Sequence, residues 1–419
     1  MRRVDRKGVK MELLRVDSVE KAREKLLSCV QDWVIPCETV TLTDAPGRIL
    51  ANDVFASEDI PAFRRSTVDG YAVLSKDTAA AGESIPVFLT VKSRVEMGAA
   101  STFTISGGEC AEVPTGGMLP EGADAVVMVE YSEHFGKDGV ALHYSAANGE
   151  NTVSIGEDAR EGELLLPRGK RLLPQDIGAL AAAGVTEVQV YARLKMTVLS
   201  TGDELIPPEQ KPLPGQIRDI NTYALKALAE KNGFTVIHTA VIPDRENILE
   251  EAVRSAMEVS DLVAVSGGSS QGEKDWTRAV LDRASGSGVF THGLAIKPGK
   301  PTILGYDASS QTLLAGLPGH PVSAMVVFEL LFCRLIREMM GTSPPPAVPA
   351  LLTCNVASSP GKLTCWPVRL VRSSNGYEAE PVFGKSGLIT TLTRADGFFT
   401  IDRNKEGLTA GESVFVEIL

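Results

Sequence analysis

The sequence predicts a multidomain α/β plus β protein. Three observations carry that reading: a length of 419 residues, a strand-rich texture over about 40–190, and alternating strand-like and helix-like runs over 194–341. At roughly 150 residues per domain the length suggests about three domains. Hydrophobic residues make up 43% and charged residues 23%, which excludes a disordered tail protein or a coiled coil. Lysine plus arginine total 42 against 53 acids, a net charge of −11. Such a field repels nucleic-acid backbone and anionic lipid, so neither nucleic acid nor membrane is expected as a partner. Any anionic ligand must be met by a local site.

The elements follow in chain order. Val19, Ala22, Leu26 and Val30 recur at helical spacing after Asp17-Ser18, which can cap the first turn, so a helix is expected over 17–33. Short β-prone runs such as 84–91 and 125–129 lie between glycines and prolines. Pro174-Gln175-Asp176, followed by Ile177, Leu180, Ala181 and Gly184, predicts a short helix with a glycine stop. Strands are expected at 196–200, 236–242, 262–266 and 313–317, and Ile248, Leu249, Ala252, Val253, Ala256 and Met257 mark one face of a helix. Further helices are expected at 276–284 and over 322–340. The apolar stretch 322–333 carries Glu329 and is too short to span a bilayer, so it reads as buried.

Pro344-Pro345-Pro346 and Pro349 can neither continue a helix nor join a central strand, and mark a linker before a valine- and threonine-rich end. The expected domains are an N-terminal region at 11–193 in two parts, with a β-rich insert at about 55–155, then a three-layer α/β domain with a mostly parallel sheet at 194–343. A small C-terminal β-barrel or sandwich at 350–419 completes the chain. Cys29, Cys37, Cys110, Cys333, Cys354 and Cys365 show no zinc-type spacing, and a chain this long needs no disulfide staples, so a cytoplasmic location is expected. The basic residues 1–7 lack the apolar stretch of a signal peptide.

In parallel α/β sheets ligands bind beyond the carboxyl ends of the strands. Four such ends carry polar turns: Thr201-Gly202-Asp203-Glu204, Pro243-Asp244-Arg245, Gly267-Gly268-Ser269-Ser270 and Pro318-Gly319-His320-Pro321. The glycine pair suits an anion nest, with the hydroxyls of Ser269 and Ser270 as donors, although alone it reads more readily as an ordinary strand-to-helix turn. Lys297-Pro298-Gly299-Lys300-Pro301 holds two ammonium groups on a proline-bounded turn, able to neutralise negative oxygens. Glu204, Asp244 and Asp275 fall in separate loops on one expected rim, where gathered carboxylates beside a phosphate commonly hold magnesium. Each alone reads as a helix cap or a surface acid. Neither the Walker pattern nor the dinucleotide fingerprint follows any strand, and the five histidines show no metal-ligand spacing.

These motifs identify a relative. Arg65-Ser66-Thr67-Val68-Asp69-Gly70-Tyr71-Ala72, Pro114-Thr115-Gly116, Gly156-Glu157-Asp158, Thr201-Gly202-Asp203-Glu204-Leu205 and Gly272-Glu273-Lys274-Asp275 stand in order. Lys297-Pro298-Gly299-Lys300-Pro301, Pro318-Gly319-His320-Pro321-Val322-Ser323-Ala324 and Gly384-Lys385-Ser386-Gly387 continue the series. The chain thereby resembles the MoeA family, the molybdopterin molybdenumtransferases that include the gephyrin E domain. The resemblance implies magnesium-dependent insertion of molybdate into adenylylated molybdopterin, releasing AMP and the molybdenum cofactor. It implies a homodimer, with the molybdopterin adenylyltransferase as a candidate partner.

Carried over by position, the acids Asp69, Asp158, Glu204, Asp244 and Asp275 would act in catalysis, and Asp69, Glu204, Asp244 and Asp275 would hold Mg2+. Substrate would be bound by Ser66, Thr67, Thr115, Gly267, Gly268, Ser269, Ser270, Lys297, Lys300, Pro318, Pro321 and Ser386. The alternatives are a pterin-binding scaffold without turnover, or a tungstate-inserting variant. The sequence departs from the family pattern at Ser269, where valine is frequent, at Trp276 in place of tyrosine and at His320 in place of asparagine. Gly293 stands where some members have lysine, and Arg369 receives no role.

Overall fold

The computed structural model describes residues 16–267, 276–374 and 376–419. It divides into two compact units: Thr39–Val190, and the described residues up to Glu38 together with those from Tyr191 to Leu419.

In Thr39–Val190 a six-stranded sheet runs in the order Ala125–Met128, Gly70–Val73, Glu109–Val113, Val87–Arg94, Gly139–Leu142, Ser132–Phe135. Its alternation puts apolar residues on both faces. Tyr71, Val73, Cys110 and Val127 pack into one core, and Ala72, Ala111, Val113 and Val126 into another. Gly70 is required at its position, because a Cβ there would lie 2.0 Å from the Val127 carbonyl oxygen. The strand expected at 84–91 begins only at Val87, after Pro86, which has no N–H for the ladder. A third core gathers Leu50, Leu172, Leu180, Val188 and Val190 around the helix Pro174–Ala182. Asp176 accepts from the Leu173 amide at 2.9 Å to cap that helix, and Gly184, at φ +71°, follows its end.

In the other unit the sheet order is Phe234–Ile242, Leu194–Thr201, Leu262–Ser266, Thr312–Leu317, Ile303–Asp307, Val289–His292. The first four strands are parallel; Ile303–Asp307 runs against them, and Val289–His292, antiparallel to it, forms that edge. The sheet is therefore mostly parallel, as expected. Helices Glu246–Met257 and Trp276–Ala284 cover one face, where Val253, Ala256, Val280 and Leu281 pack on Leu199, Val263, Val265 and Leu314. Asn221–Lys231 and Pro321–Phe328 pack together on the other. The second continues through a π-helical turn, Glu329–Cys333, into Arg334–Met339, and its apolar residues are buried.

The amino-terminal helix Val19–Val30 is capped by Ser18, whose Oγ accepts from the Lys21 amide at 3.2 Å. It packs against the helix that runs from Pro321 to Met339. Lys25 Nζ bonds Asp17 at 2.5 Å and the Phe290 carbonyl at 2.7 Å, and Thr291 donates to Asp17 at 2.8 Å. The C-terminal segment forms a closed five-stranded barrel of Leu363–Ser373, Gly376–Pro381, Ala347–Leu352, Ser413–Ile418 and Gly397–Ile401, the last pairing back to the first. Pro349, read as linker, lies within Ala347–Leu352. It fits because pairing to Gly376–Pro381 starts only at Ala350, so its missing N–H faces no partner on that side. No helix among the described residues is long and apolar enough to cross a membrane.

Candidate functional site

Three neighbouring parallel strands, Leu194–Thr201, Leu262–Ser266 and Thr312–Leu317, end side by side, with Ser200 opposite Ser266 and Ser266 opposite Leu317. Beyond them opens a cleft of about 1330 Å³, walled on its far side by the barrel. The strand Ile296–Lys297 pairs with Leu363 and Thr364 and thereby carries the Lys297–Pro301 turn to the barrel wall. Gly267 sits at φ +116°, and a Cβ there would lie 2.3 Å from the Thr201 carbonyl oxygen, so only glycine allows this close crossing. Gly299 is alike: at φ +121° its Cβ would lie 2.5 Å from Val327 Cγ2.

The cleft is cationic inside an acidic chain. Arg218, Lys297, Lys300, Lys362 and Lys385 line it, against Glu204 and Asp219. Asp219 is 5% exposed and is held by the hydroxyl of Ser200 and the amide of Thr222, each at 3.2 Å. Arg218 Nε donates to the carbonyls of Pro208 at 2.9 Å and Gln210 at 3.1 Å. None of the four lysines has an ion-pair partner among the described residues. A positive cleft whose charges are not neutralised from within is a site for a polyanion.

Of the residues singled out in the sequence, Glu204, Gly267, Lys297, Lys300, Pro318, Pro321 and Ser386 line this cleft. Asp244 does not. It follows the edge strand Phe234–Ile242, one strand beyond the three that end at the cleft, and its amide donates to Asp203 Oδ1 at 3.1 Å. Gly268, Ser269, Ser270 and Asp275 lie outside the described residues. Sequence reasoning did not pick out Arg218, Asp219, Asn221 or Lys362, which only tertiary placement brings to the cleft, and it quoted Lys385 within a motif without giving it a role. His320 reaches the barrel, with Nδ1 2.8 Å from Ser386 Oγ. Arg369 pairs across strands with Glu380 at 2.7 Å, away from the cleft lining.

Ser66, Thr67, Asp69, Thr115 and Asp158 belong to Thr39–Val190. Asp69 Oδ1 accepts from the Thr115 amide at 2.6 Å and from its hydroxyl at 2.9 Å, and these bonds hold the carboxyl below the usual carboxylate range. Ser66, 2% exposed, donates to the Val68 carbonyl at 2.6 Å and accepts from the Val68 amide at 3.2 Å. Its hydroxyl shapes the loop. Thr67 is tied through its amide to the Asn151 carbonyl, and Asp158, exposed, through its amide to the Ile60 carbonyl.

Among the described residues no three His, Cys, Asp or Glu side chains gather as a metal-binding group. Magnesium is commonly bound through one or two carboxylates together with substrate phosphates rather than in an all-protein cage. Glu204, a cleft carboxylate beside cations suited to phosphate, fits that second kind of site.

Comparison with known proteins agrees with this architecture. Three family models match in order: the MoeA N-terminal region (domain I and II) at residues 17–184, the "Probable molybdopterin binding domain" at 197–338, and the MoeA C-terminal region (domain IV) at 349–419. A molybdopterin molybdenumtransferase of Haemophilus influenzae is 33% identical over 408 residues, covering 96% of this chain and 98% of its own. One of Bacillus subtilis is 32% identical over 389 residues, covering 91% and 90%. The molybdopterin biosynthesis MoeA protein of Pyrococcus horikoshii superposes with a TM-score of 0.83 at 30% identity, covering 97% of this chain and 100% of that one. The chain therefore belongs to the MoeA family, whose curated members carry the name molybdopterin molybdenumtransferase.

Proposed function

We propose that this chain inserts molybdate into adenylylated molybdopterin with Mg2+, releasing AMP and the molybdenum cofactor. A role in molybdenum cofactor biosynthesis follows from the family. The observation that carries the finer reading is the cleft at the carboxyl ends of three parallel strands, with five cations and two acids in a chain of net charge −11.

A substrate bearing phosphates, and the molybdate dianion beside it, bring several negative charges that Lys297, Lys300, Lys362 and Lys385 are placed to neutralise. Pro298 and Pro301 limit the motion of the turn that carries Lys297 and Lys300, so the ammonium groups are held in place at little entropic cost. Glu204, with Asp275 outside the described residues, would hold magnesium, which supplies Lewis-acid charge to phosphate oxygens when bound. The reading includes a homodimer in which the partner subunit's Asp69, Thr115 and Asp158 complete the site. It also includes handover of substrate from the molybdopterin adenylyltransferase.

The test is a turnover assay. Purified protein given adenylylated molybdopterin, Mg2+ and molybdate should release AMP over many turnovers, with release falling away when molybdate is omitted. A parallel series with tungstate identifies the preferred oxyanion. Stoichiometric binding with no AMP release under any metal or oxyanion would make the chain a pterin-binding scaffold.

A further inference from the structure

Ser386, in the barrel segment, is held from the α/β domain by two bonds. Its carbonyl accepts from the Val322 amide at 3.2 Å, and its Oγ lies 2.8 Å from His320 Nδ1. The imidazole also lies against Gly387, where a Cβ would be 3.6 Å from His320 Cδ2. Both His320 and Ser386 line the cleft, and His320 is exposed, so a ligand can reach the pair. A serine hydroxyl has one hydrogen to give. While Nδ1 is bare, that hydrogen is spent on the ring. Once Nδ1 carries a proton the ring donates to Oγ, and the hydroxyl hydrogen is free to be given to an oxyanion.

Charge acts in the same direction. Among the described residues the charged groups lining this cleft are Arg218, Lys297, Lys300, Lys362 and Lys385, with Glu204 and Asp219 opposing them. The cations disfavour a positive ring while the cleft is empty, and the two acids offset them only in part. A bound dianion cancels that repulsion and adds its own attraction, so the ring gains a proton as the anion arrives. Histidine is the side chain whose ordinary pKa, about 6.5, lets such a change occur near neutral pH. We propose that His320 is a positioning residue for the oxyanion substrate: it takes up a proton when the oxyanion binds, and the protonated ring turns the Ser386 hydroxyl toward that oxyanion. The proton comes from solvent and returns to it when the oxyanion leaves. This rests on the molybdate reading proposed above and adds that its binding is linked to pH.

The test is calorimetric titration of molybdate into the full-length wild type, His320→Asn and Ser386→Ala, at about pH 6 and about pH 8, on either side of the ordinary histidine range. Each titration is run in two buffers of different ionisation enthalpy, and the Tm of each protein is measured. Molybdate remains a dianion over this range, so the protein supplies any pH effect. The wild type should bind about threefold to tenfold more tightly at the lower pH, with a heat that changes with the buffer and so reports proton uptake. Asparagine can still donate to Ser386 but cannot titrate. His320→Asn should therefore keep the wild-type Tm while its affinity and heat lose most of their dependence on pH and buffer. Ser386→Ala should bind about tenfold more weakly at the lower pH, the worth of one hydrogen bond to a charged group. A wild-type heat that is equal in both buffers overturns the proposal, as does wild-type pH dependence in His320→Asn or wild-type affinity in Ser386→Ala. A wild type that binds molybdate at neither pH contradicts the molybdate reading itself, whereas binding without proton uptake overturns the role of His320 alone.

Discussion

The two units treat their polar loop residues in opposite ways. In Thr39–Val190, Ser66 closes on Val68, Asp69 accepts twice from Thr115, and Asp124 accepts from the amide and hydroxyl of Ser75 at 2.5 and 2.9 Å. At the α/β cleft, four lysines stand without ion pairs among the described residues. Internal satisfaction fixes the shape of a loop but leaves little to offer a ligand. Clustered positive charges repel one another in the empty protein and are relieved when a complementary anion arrives. The contrast separates residues that build a surface from residues that wait for a substrate.

The largest effect should come from removing cleft charge. Lys297→Gln with Lys300→Gln should lower the rate of AMP release by about 100-fold or more, the scale for losing charge-assisted contacts to a phosphate. Its Tm should stay at the wild-type value, because neither ammonium is paired among the described residues. A large fall in Tm would mean that these lysines are structural and would erase the contrast.

Asp69→Asn probes the other side. Asparagine Oδ1 can still accept both Thr115 bonds, so the fold should be unchanged while the charge is gone. If the partner subunit's Asp69 serves the site, AMP release should fall by roughly tenfold to thirtyfold. Co-expression with a Lys297→Gln chain should then restore one working site per mixed dimer. Unchanged activity would leave Asp69 as loop architecture alone, like Ser66.

Asp307 supplies a control within the same unit as the cleft. Burial pushes its carboxyl up, but the hydroxyls of Ser309 and Ser310 and the amides of Ser310 and Gly286 outweigh that and hold it at about 2 against an ordinary 3.8. A depressed pKa stabilises the fold above the unfolded value and loses that contribution as pH falls through the folded one. Asp307→Asn should therefore cost about 2 kcal/mol at pH 7, and the difference from wild type should shrink between about pH 4 and pH 2. Denaturant titrations at several pH values check it. A pH-independent difference would show that the charge is not what stabilises the turn.

The smallest effect should come from Ser66→Ala, which removes two bonds of one loop and should cost about 1 kcal/mol with little change in molybdopterin affinity. Chemical denaturation and a binding titration read the two quantities separately.

What could be read in the sequence followed from local signals. The strand Leu262–Ser266 and the helix Trp276–Ala284 fall where the pattern put them. The capped helix Val19–Val30 falls within its expected span, because its apolar period and caps are written in neighbouring residues. The antiparallel pairings of Val289–His292 and Ile303–Asp307 were not legible, since they are set by sheet position rather than by period. The Lys297–Pro301 turn could be recognised from its composition. Lys362 could not, because it reaches the cleft only when the barrel closes. Asp244 shows the converse: its turn looks like the others, but strand order puts it one strand away.

The central claim is that the unneutralised cations of the α/β cleft bind the polyanionic substrate. It is tested most directly by titrating adenylylated molybdopterin into the wild type and into Lys297→Gln with Lys300→Gln, at two salt concentrations. The expected result is one substrate per chain for the wild type, with affinity that weakens as salt rises, and binding about 100-fold weaker and less salt-sensitive in the double variant. Equal affinity in both proteins would contradict it.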